Sequence, residues 1–313
     1  MTWRLEPLEV YKLKGRTLKK RTELAAGRLA MAALWRLSRR LTPRRIERWG
    51  ARLGDFMFVA SRRYRRVVLE NLAAAFPDWS KQEVRRTGRN TFRNFARGAL
   101  EFFYLLHLPP DELDRWIKIE GTEHLDAALK QGRGAIIVTA HLGNWELFAR
   151  KLVLLGYRLN VIARDSDDPG MTGIANAIRQ KGGYQVLARD ASALPAMRCL
   201  RRNEVLGILP DQNAVVGIFV DFFGRPAATA TGPAVFSLRS GAPIICGFAP
   251  RTEEGRFKAV MYPPLVTPTS GDEEADVRAL TATLTKVIEE QIRKDPAQWL
   301  WLHDRWRRWR EAQ

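Results

Sequence analysis

Two textures divide the chain. Over residues 1–110 apolar positions recur at three- and four-residue intervals, the spacing of amphipathic helices. Residues 44–62 are basic and amphipathic, and Arg65 to Phe76 forms a second helical stretch that Pro77-Asp78 stops. Ser80 followed three positions later by Glu83 carries the capping-box signature, predicting a helix that runs toward His107 before Pro109-Pro110 ends the region. From Trp116 the period changes. Short apolar runs read as strands at 117–120, 135–140, 158–163, 184–187, 205–209, 217–223, 244–249 and 257–261. Helical stretches fall between them near 123–130, from Leu142 to Leu155 after a turn at His141, and at 171–181, 194–202, 232–240 and 274–293. This alternation predicts an α/β fold: a mixed, largely parallel sheet flanked by helices. The division is residues 1–110, helical, and 111–313, the α/β part. Internal repeats and low-complexity linkers are absent.

One strand ends unusually. Ala135-Ile-Ile-Val-Thr-Ala140 runs straight into His141, and Glu146 follows five positions later. Catalytic and ligand groups gather at the carboxyl ends of strands in open α/β sheets. On one regular helix residues five apart differ by about 140° around the axis and do not face each other. With His141 in the turn and Glu146 early in the helix, the two side chains can converge. A carboxylate on one imidazole nitrogen fixes the tautomer and frees the other nitrogen to take a proton. The expectation is a general base, His141, oriented by Glu146. A serine elbow of the Gly-x-Ser-x-Gly type is missing, which suits a base that activates a substrate hydroxyl directly.

Charge changes the picture next. There are 52 Lys and Arg against 34 Asp and Glu, a net charge of +18. Fourteen of those cations and four of the acids lie in the first fifty residues, and the run from Arg305 to Arg310 adds a basic aromatic tail. Such a balance implies an anionic partner. Leu24 to Leu37 is rich in Ala, Leu, Met and Trp but carries Arg28 and Arg36, and is shorter than the roughly 20 residues a spanning helix needs. It suits a helix lying in an anionic membrane interface. The expectation is that 1–110 is membrane-associating. Two cysteines make a disulfide framework improbable, no zinc spacing exists, and no cleavable secretory signal is evident.

Further polar residues sit at comparable positions. Asp211-Gln212 follows the strand ending at Leu209 and Pro210, where an ordinary turn is the competing reading. Arg164, Arg179 and Arg189 fall after strands or on the adjacent helix, where guanidinium groups could hold a phosphate or an oxyanion. Phe222-Phe223-Gly224-Arg-Pro with Thr231 reads either as core or as the wall of a slot for an acyl chain. Thr231 is also a candidate helix cap before Gly232-Pro233.

Taken in order, Asn71-Leu72 with Phe76-Pro77, Thr-Ala-His141-x4-Glu146, Arg164 with Asp168-Pro169, Arg179, Pro210-Asp211-Gln212, Phe222-Phe223-Gly224, Thr231-Gly232-Pro233, Gly241-Ala242-Pro243 and Pro296-Ala-Gln-Trp-Leu-Trp301-Leu-His303 resemble the late acyltransferases of lipid A biosynthesis. These lie within the lysophospholipid acyltransferase superfamily. The resemblance spans nearly the whole chain. It implies transfer of a fatty acyl group from acyl carrier protein or coenzyme A to a hydroxyl of a lipid A precursor. His141 would be the base and Glu146 its partner, with Arg179 and Asp211 at functional family positions and Arg164 at another recurrent family arginine. No cofactor or metal is expected. The implied partners are acyl carrier protein, an anionic glycolipid and an anionic membrane surface, at the cytoplasmic face of a bacterial inner membrane. A related branch acylates phosphatidylinositol mannosides, which keeps that acceptor open. A basic nucleic-acid-binding protein or a membrane scaffold would leave His141 and Glu146 without a task, so no nucleic-acid partner is expected.

Overall fold

The computed structural model describes residues 40–104, 108–163, 169–188 and 193–311. The segment Leu24–Leu37, expected to lie in a membrane interface, and the candidates Arg164 and Arg189 lie outside the described residues. Among those described, no helix is long and apolar enough to cross a membrane.

Three helices come first. α1 (Pro43–Ala60) begins on Thr42, whose hydroxyl accepts the Arg45 N–H at 3.3 Å, with proline at the first helical position. α2 is Arg62–Ala75 and α3 is Lys81–Tyr104. The predicted capping box forms: Ser80 N–H donates to Glu83 Oε2 at 2.8 Å, and Glu83 N–H donates to Ser80 Oγ at 3.2 Å. α1 and α3 pack so closely that a Cβ on Gly54 would stand 2.4 Å from the Arg93 Cα. Asp55 beside that crossing accepts from Arg89 and Arg93 at 2.7–2.9 Å.

The rest builds one seven-stranded sheet. In chain order the elements are α4 (Pro110–Asp114), β1 (Ile117–Glu120), α5 (Thr122–Leu129), β2 (Ala135–Val138), α6 (Trp145–Leu154), β3 (Leu159–Ala163), α7 (Pro169–Lys181), β4 (Gln185–Ala188), α8 (Ala193–Arg201) and β5 (Val205–Ile208). There follow β6 (Ile218–Phe222), β7 (Arg225–Thr229), α9 (Gly232–Ser240), β8 (Ile244–Phe248), β9 (Phe257–Met261), α10 (Glu273–Lys294) and α11 (Arg307–Glu311). The strand order is β1-β9-β8-β2-β5-β3-β4. Within this sheet every pairing is parallel except β8 with β9, while β6 and β7 form a separate two-stranded sheet. The central strands β2, β5 and β8 are wholly buried, which is why they read as unbroken apolar runs rather than alternating ones.

One expectation is corrected here. Between residue 223 and residue 244 no strand is expected, but Arg225–Thr229 is a strand paired antiparallel with β6. Phe223 and Gly224 turn the hairpin at φ 57° and 73°, the left-handed pair a tight two-residue turn requires. Pro226 misled the reading, because proline is tolerated in so short a hairpin strand.

The C-terminal segment straps the two parts together. Asn71 on α2 donates its amide to the carbonyls of Trp301 and His303, at 3.0 and 2.9 Å. Trp299, Trp301, Arg305 and Trp306 are all buried.

Candidate active site

The parallel register of β2 and β5 pairs Val138 with Ile208. Their continuations therefore run side by side, and His141 and Asp211, each three positions further on, meet. His141 Nδ1 lies 2.8 Å from Asp211 Oδ1, and the His141 backbone N–H donates to Oδ2 at 2.8 Å. The Trp299 indole N–H donates to the same Oδ2 at 2.8 Å. Burial opposes the Asp211 charge, but the His141 ring, its backbone N–H and the Trp299 indole outweigh it and hold the carboxyl down at about 2. An ionised Asp211 requires Nδ1 to carry the proton. Nε2 then keeps its lone pair, with the Gln212 amide 3.4 Å away.

Glu146 is placed differently from the expectation. The carboxylate bonded to His141 is Asp211, while Glu146 binds Arg179 and Tyr184. The Arg179 guanidinium donates to Glu146 Oε1 at 2.6 and 3.1 Å, and the Tyr184 hydroxyl to Oε2 at 2.5 Å. The cause is local. Asn144 caps α6, accepting the Leu147 N–H at 2.9 Å, so Glu146 stands in the first turn beside β4 and α7. His141 and Glu146 do line the same cleft. Burial and the Glu146 charge raise the Tyr184 phenol well above its ordinary value, so it stays a donor.

The connecting loop is held from both sides. Gly143 N–H donates to the Gln298 carbonyl at 3.2 Å, and Leu300 N–H to the His141 carbonyl at 3.0 Å. At Gly143, with φ 64°, a Cβ would fall 2.0 Å from the Ala249 carbonyl oxygen, so only glycine fits. The Asn144 amide donates to the buried Glu101 at 3.1 Å, and Arg251 pairs with Glu101 at 2.6 Å.

His141, Glu146, Arg179, Gln212 and Thr231 line one cleft of about 1140 Å³. Asp211 is buried behind His141. One side of the cleft runs under α6 and is apolar, walled by Ile137, Phe148, Leu152, Leu159, Val161 and Gly207. Phe222 and Phe223 sit elsewhere. They stack with Phe76, Trp299, Trp301 and Trp306 in an aromatic cluster at centroid distances of 4.8–5.8 Å, and are core rather than slot wall. Thr231 holds the N-cap position of α9 without a side-chain cap bond. Both cysteines are buried with thiols pushed up to about 12, which leaves no thiolate for an acyl-enzyme. Among the described residues no cluster of His, Cys, Asp or Glu is placed to hold a metal ion.

Sequence reasoning missed Tyr184 and Trp299. Tyr184 was visible only as the first residue of a predicted strand. Trp299 stood inside a motif whose role carried no physical interpretation until its indole was seen on Asp211.

The chain is similar in sequence to known proteins over most of its length. Residues 15–308 match the family described as bacterial lipid A biosynthesis acyltransferase. The lipid A biosynthesis lauroyltransferase of Escherichia coli K12 is 29% identical over 267 residues, covering 84% of this chain and 85% of that one. The E. coli palmitoleoyltransferase is 24% identical over 261 residues, at 82% and 83% coverage. The phosphatidylinositol mannoside acyltransferase of Mycobacterium tuberculosis H37Rv is 30% identical over 203 residues, at 62% and 61%.

His303 titrates with consequence for stability. Its Nε2 accepts the Asn213 N–H at 2.9 Å, and burial lowers its pKa from 6.5 to about 4. Between those values the unfolded chain binds a proton that the native protein does not, so this contribution is complete above pH 6.5 and is lost as pH falls toward 4. In urea titrations across that window, His303→Gln is expected to flatten the acid-side decline in stability. An unchanged slope would show that His303 is not its source.

Proposed function

The chain belongs to the bacterial lipid A biosynthesis acyltransferase family, and on that premise we propose that it moves a fatty acyl chain from an acyl thioester on acyl carrier protein to a hydroxyl of a lipid A precursor. The observation that carries the reading is His141. Its Nδ1 is held by a buried carboxylate, and its Nε2 side opens on a cleft with a polar end and an apolar arm. Such a cleft suits an amphiphile whose reacting group lies beside the base.

In this mechanism the acyl chain lies in the apolar arm under α6, with the thioester carbonyl at its mouth. His141 Nε2 takes the proton of the acceptor hydroxyl as its oxygen attacks the carbonyl carbon. Asp211 stabilises the imidazolium. The tetrahedral intermediate collapses, the carbon–sulfur bond breaks, and the imidazolium returns the proton to the departing thiolate. No acyl-enzyme forms. Glu146 acts through Arg179, fixing its guanidinium on the cleft wall as a positive group for the developing oxyanion. A well-placed donor of this kind contributes roughly 3–4 kcal/mol. The Tyr184 hydroxyl holds the other carboxylate oxygen.

Phosphatidylinositol mannoside is the second acceptor reading, supported by the mycobacterial relatives. Coenzyme A is the alternative carrier. Offering the purified protein both acceptors and both thioesters, with mass spectrometry of the lipids, separates them.

We further propose attachment to the cytoplasmic face of the inner membrane through α1. Trp49, Leu53, Phe56 and Val59 stand exposed along one face, with Arg45, Arg48 and Arg52 beside them. An interfacial helix has this composition, and each well-placed cation contributes roughly 1 kcal/mol at an anionic surface.

Three outcomes are expected. His141→Ala removes nearly all added ester-linked chain in the mass spectrum while the circular dichroism stays native, and Asp211→Asn lowers turnover by roughly 10³–10⁴, as loss of the fixed tautomer does elsewhere. Full activity in either variant refutes the mechanism. Gly207 lines the apolar arm, and a Cβ there would stand 3.3 Å from Val161 Cγ1 and 3.5 Å from Leu159 Cδ1, so a larger side chain must take up space in the arm. Gly207→Val should therefore shift the preferred donor to a shorter chain, each lost methylene contact weakening binding by roughly 0.8 kcal/mol. An unaltered chain-length profile would place the acyl group elsewhere. Finally, Trp49→Ser with Phe56→Ser should reduce co-flotation with phosphatidylglycerol liposomes, and undiminished flotation would remove α1 from the contact.

A further inference from the structure

The first turn of α2 is electrostatically unusual. Helix N-termini are positive and favour acidic residues. Here the first five residues are Arg62, Arg63, Tyr64, Arg65 and Arg66, no acid is present, and Ser61 makes no side-chain cap bond. Arg65 has a structural task, donating to the Phe58 and Val59 carbonyls at 2.9 and 2.7 Å. Arg63 and Arg66 do not share it. Both line the cleft that contains His141.

A third arginine comes from a distant part of the chain. Arg307, at the start of α11, lines the same cleft. The acids nearby do little to neutralise the set. Asp304 is paired with Arg310. Glu70 reaches Arg66 only at 3.7 Å and Glu311 reaches Arg307 only at 3.5 Å, with all four side chains well exposed. Exposed pairs of this kind contribute little. Arg63 and Arg66 at the positive end of α2 and Arg307 on α11 thus bring positive charge to one cleft, with only weak, exposed ion pairs set against it.

Apolar groups stand among these arginines. Tyr64 on α2 and Val215 and Val216 before β6 are exposed by 49%, 65% and 87%, and all three line the cleft. We propose that Arg63, Arg66 and Arg307 form a phosphate-binding rim at the cleft mouth that takes the phosphate of an anionic glycolipid acceptor, with Tyr64, Val215 and Val216 against its acyl chains. Phosphate fits better than a carboxylate, because three planar donor forks match a group with several charged oxygens. The acceptor is the source, rather than bulk bilayer lipid, because these arginines share the cleft of the base. The rim rests on the glycolipid-acceptor reading above. It would hold one end of the acceptor while a hydroxyl reaches His141.

The test uses the full chain in neutral maltoside micelles. A phosphorylated disaccharide lipid and its phosphatase-treated form are titrated calorimetrically, and the same pair is used for turnover. Wild type should bind the phosphorylated form at least about tenfold more tightly, and Arg63→Gln with Arg66→Gln should abolish the preference. A tenfold preference is roughly the size of one charge-assisted hydrogen bond. In turnover the double variant should raise KM for the phosphorylated acceptor with kcat within about twofold. Arg278→Gln, which removes one exposed charge from α10, should leave the preference intact. The proposal is overturned if wild type binds both forms equally, or if the double variant weakens both alike. It is also overturned if that variant loses attachment to phosphatidylglycerol vesicles while keeping its phosphate preference, which would make the rim a bilayer contact. A phosphate preference without acyl transfer would instead sink the acyltransferase mechanism and leave the rim standing.

Discussion

A single buried negative charge organises this molecule. Asp211 has no exposed side-chain surface, and an unpaired carboxylate there would cost several kcal/mol. It is tolerated because three donors converge on it: the His141 ring, the His141 backbone and the Trp299 indole. The donors come from two different layers of structure. The two from His141 depend on adjacent parallel strands in one register. The indole depends on a C-terminal strap that Asn71 ties to the N-terminal helices. The helical region and the sheet thus meet around the carboxylate that orients the base.

That dependence explains what could be read from sequence. The strands were legible because wholly buried parallel strands make continuous apolar runs, and His141 and Asp211 stood out as polar residues just past such runs. Their partnership was not legible. β2 and β5 are separated in the chain by two strands, so their adjacency belongs to the sheet order. A local spacing, His141 to Glu146, offered a nearer carboxylate. The capping box at Ser80 and Glu83 was legible for the opposite reason, since both partners lie within one turn. The Phe222-Phe223 pair shows the same limit. Apolar residues suit a slot wall and a core equally well, and only their stacking on the C-terminal tryptophans decides between them.

The separation of the two carboxylates has chemical sense. If Glu146 and Asp211 both faced the imidazole, two negative charges would compete for one Nδ1 proton, and one would tend to protonate. Instead each has its own cation or donor set. Asp211 serves the base, and Glu146 serves Arg179 and Tyr184. One cleft therefore holds an imidazole beside a guanidinium kept in place by its counter-charge. Such an arrangement allows proton removal and oxyanion stabilisation to act on neighbouring atoms without cancelling.

On the reading proposed above, the cleft is graded along its length: beneath α6 its walls are aliphatic and aromatic, His141 and the Glu146–Arg179 pair follow, and arginines stand at the mouth among Tyr64 and two exposed valines. A molecule that is apolar at one end and anionic at the other loses least solvation when aligned with that gradient, and most when reversed. Orientation then follows from the order of environments rather than from any single strong contact. This places a heavy demand on the rigidity of the walls, since a base that must meet a hydroxyl at about 3 Å tolerates little drift. The clamped loop at Gly143 and Asn144, held by Ala249, Gln298 and Glu101, supplies that rigidity where the polar and apolar ends meet.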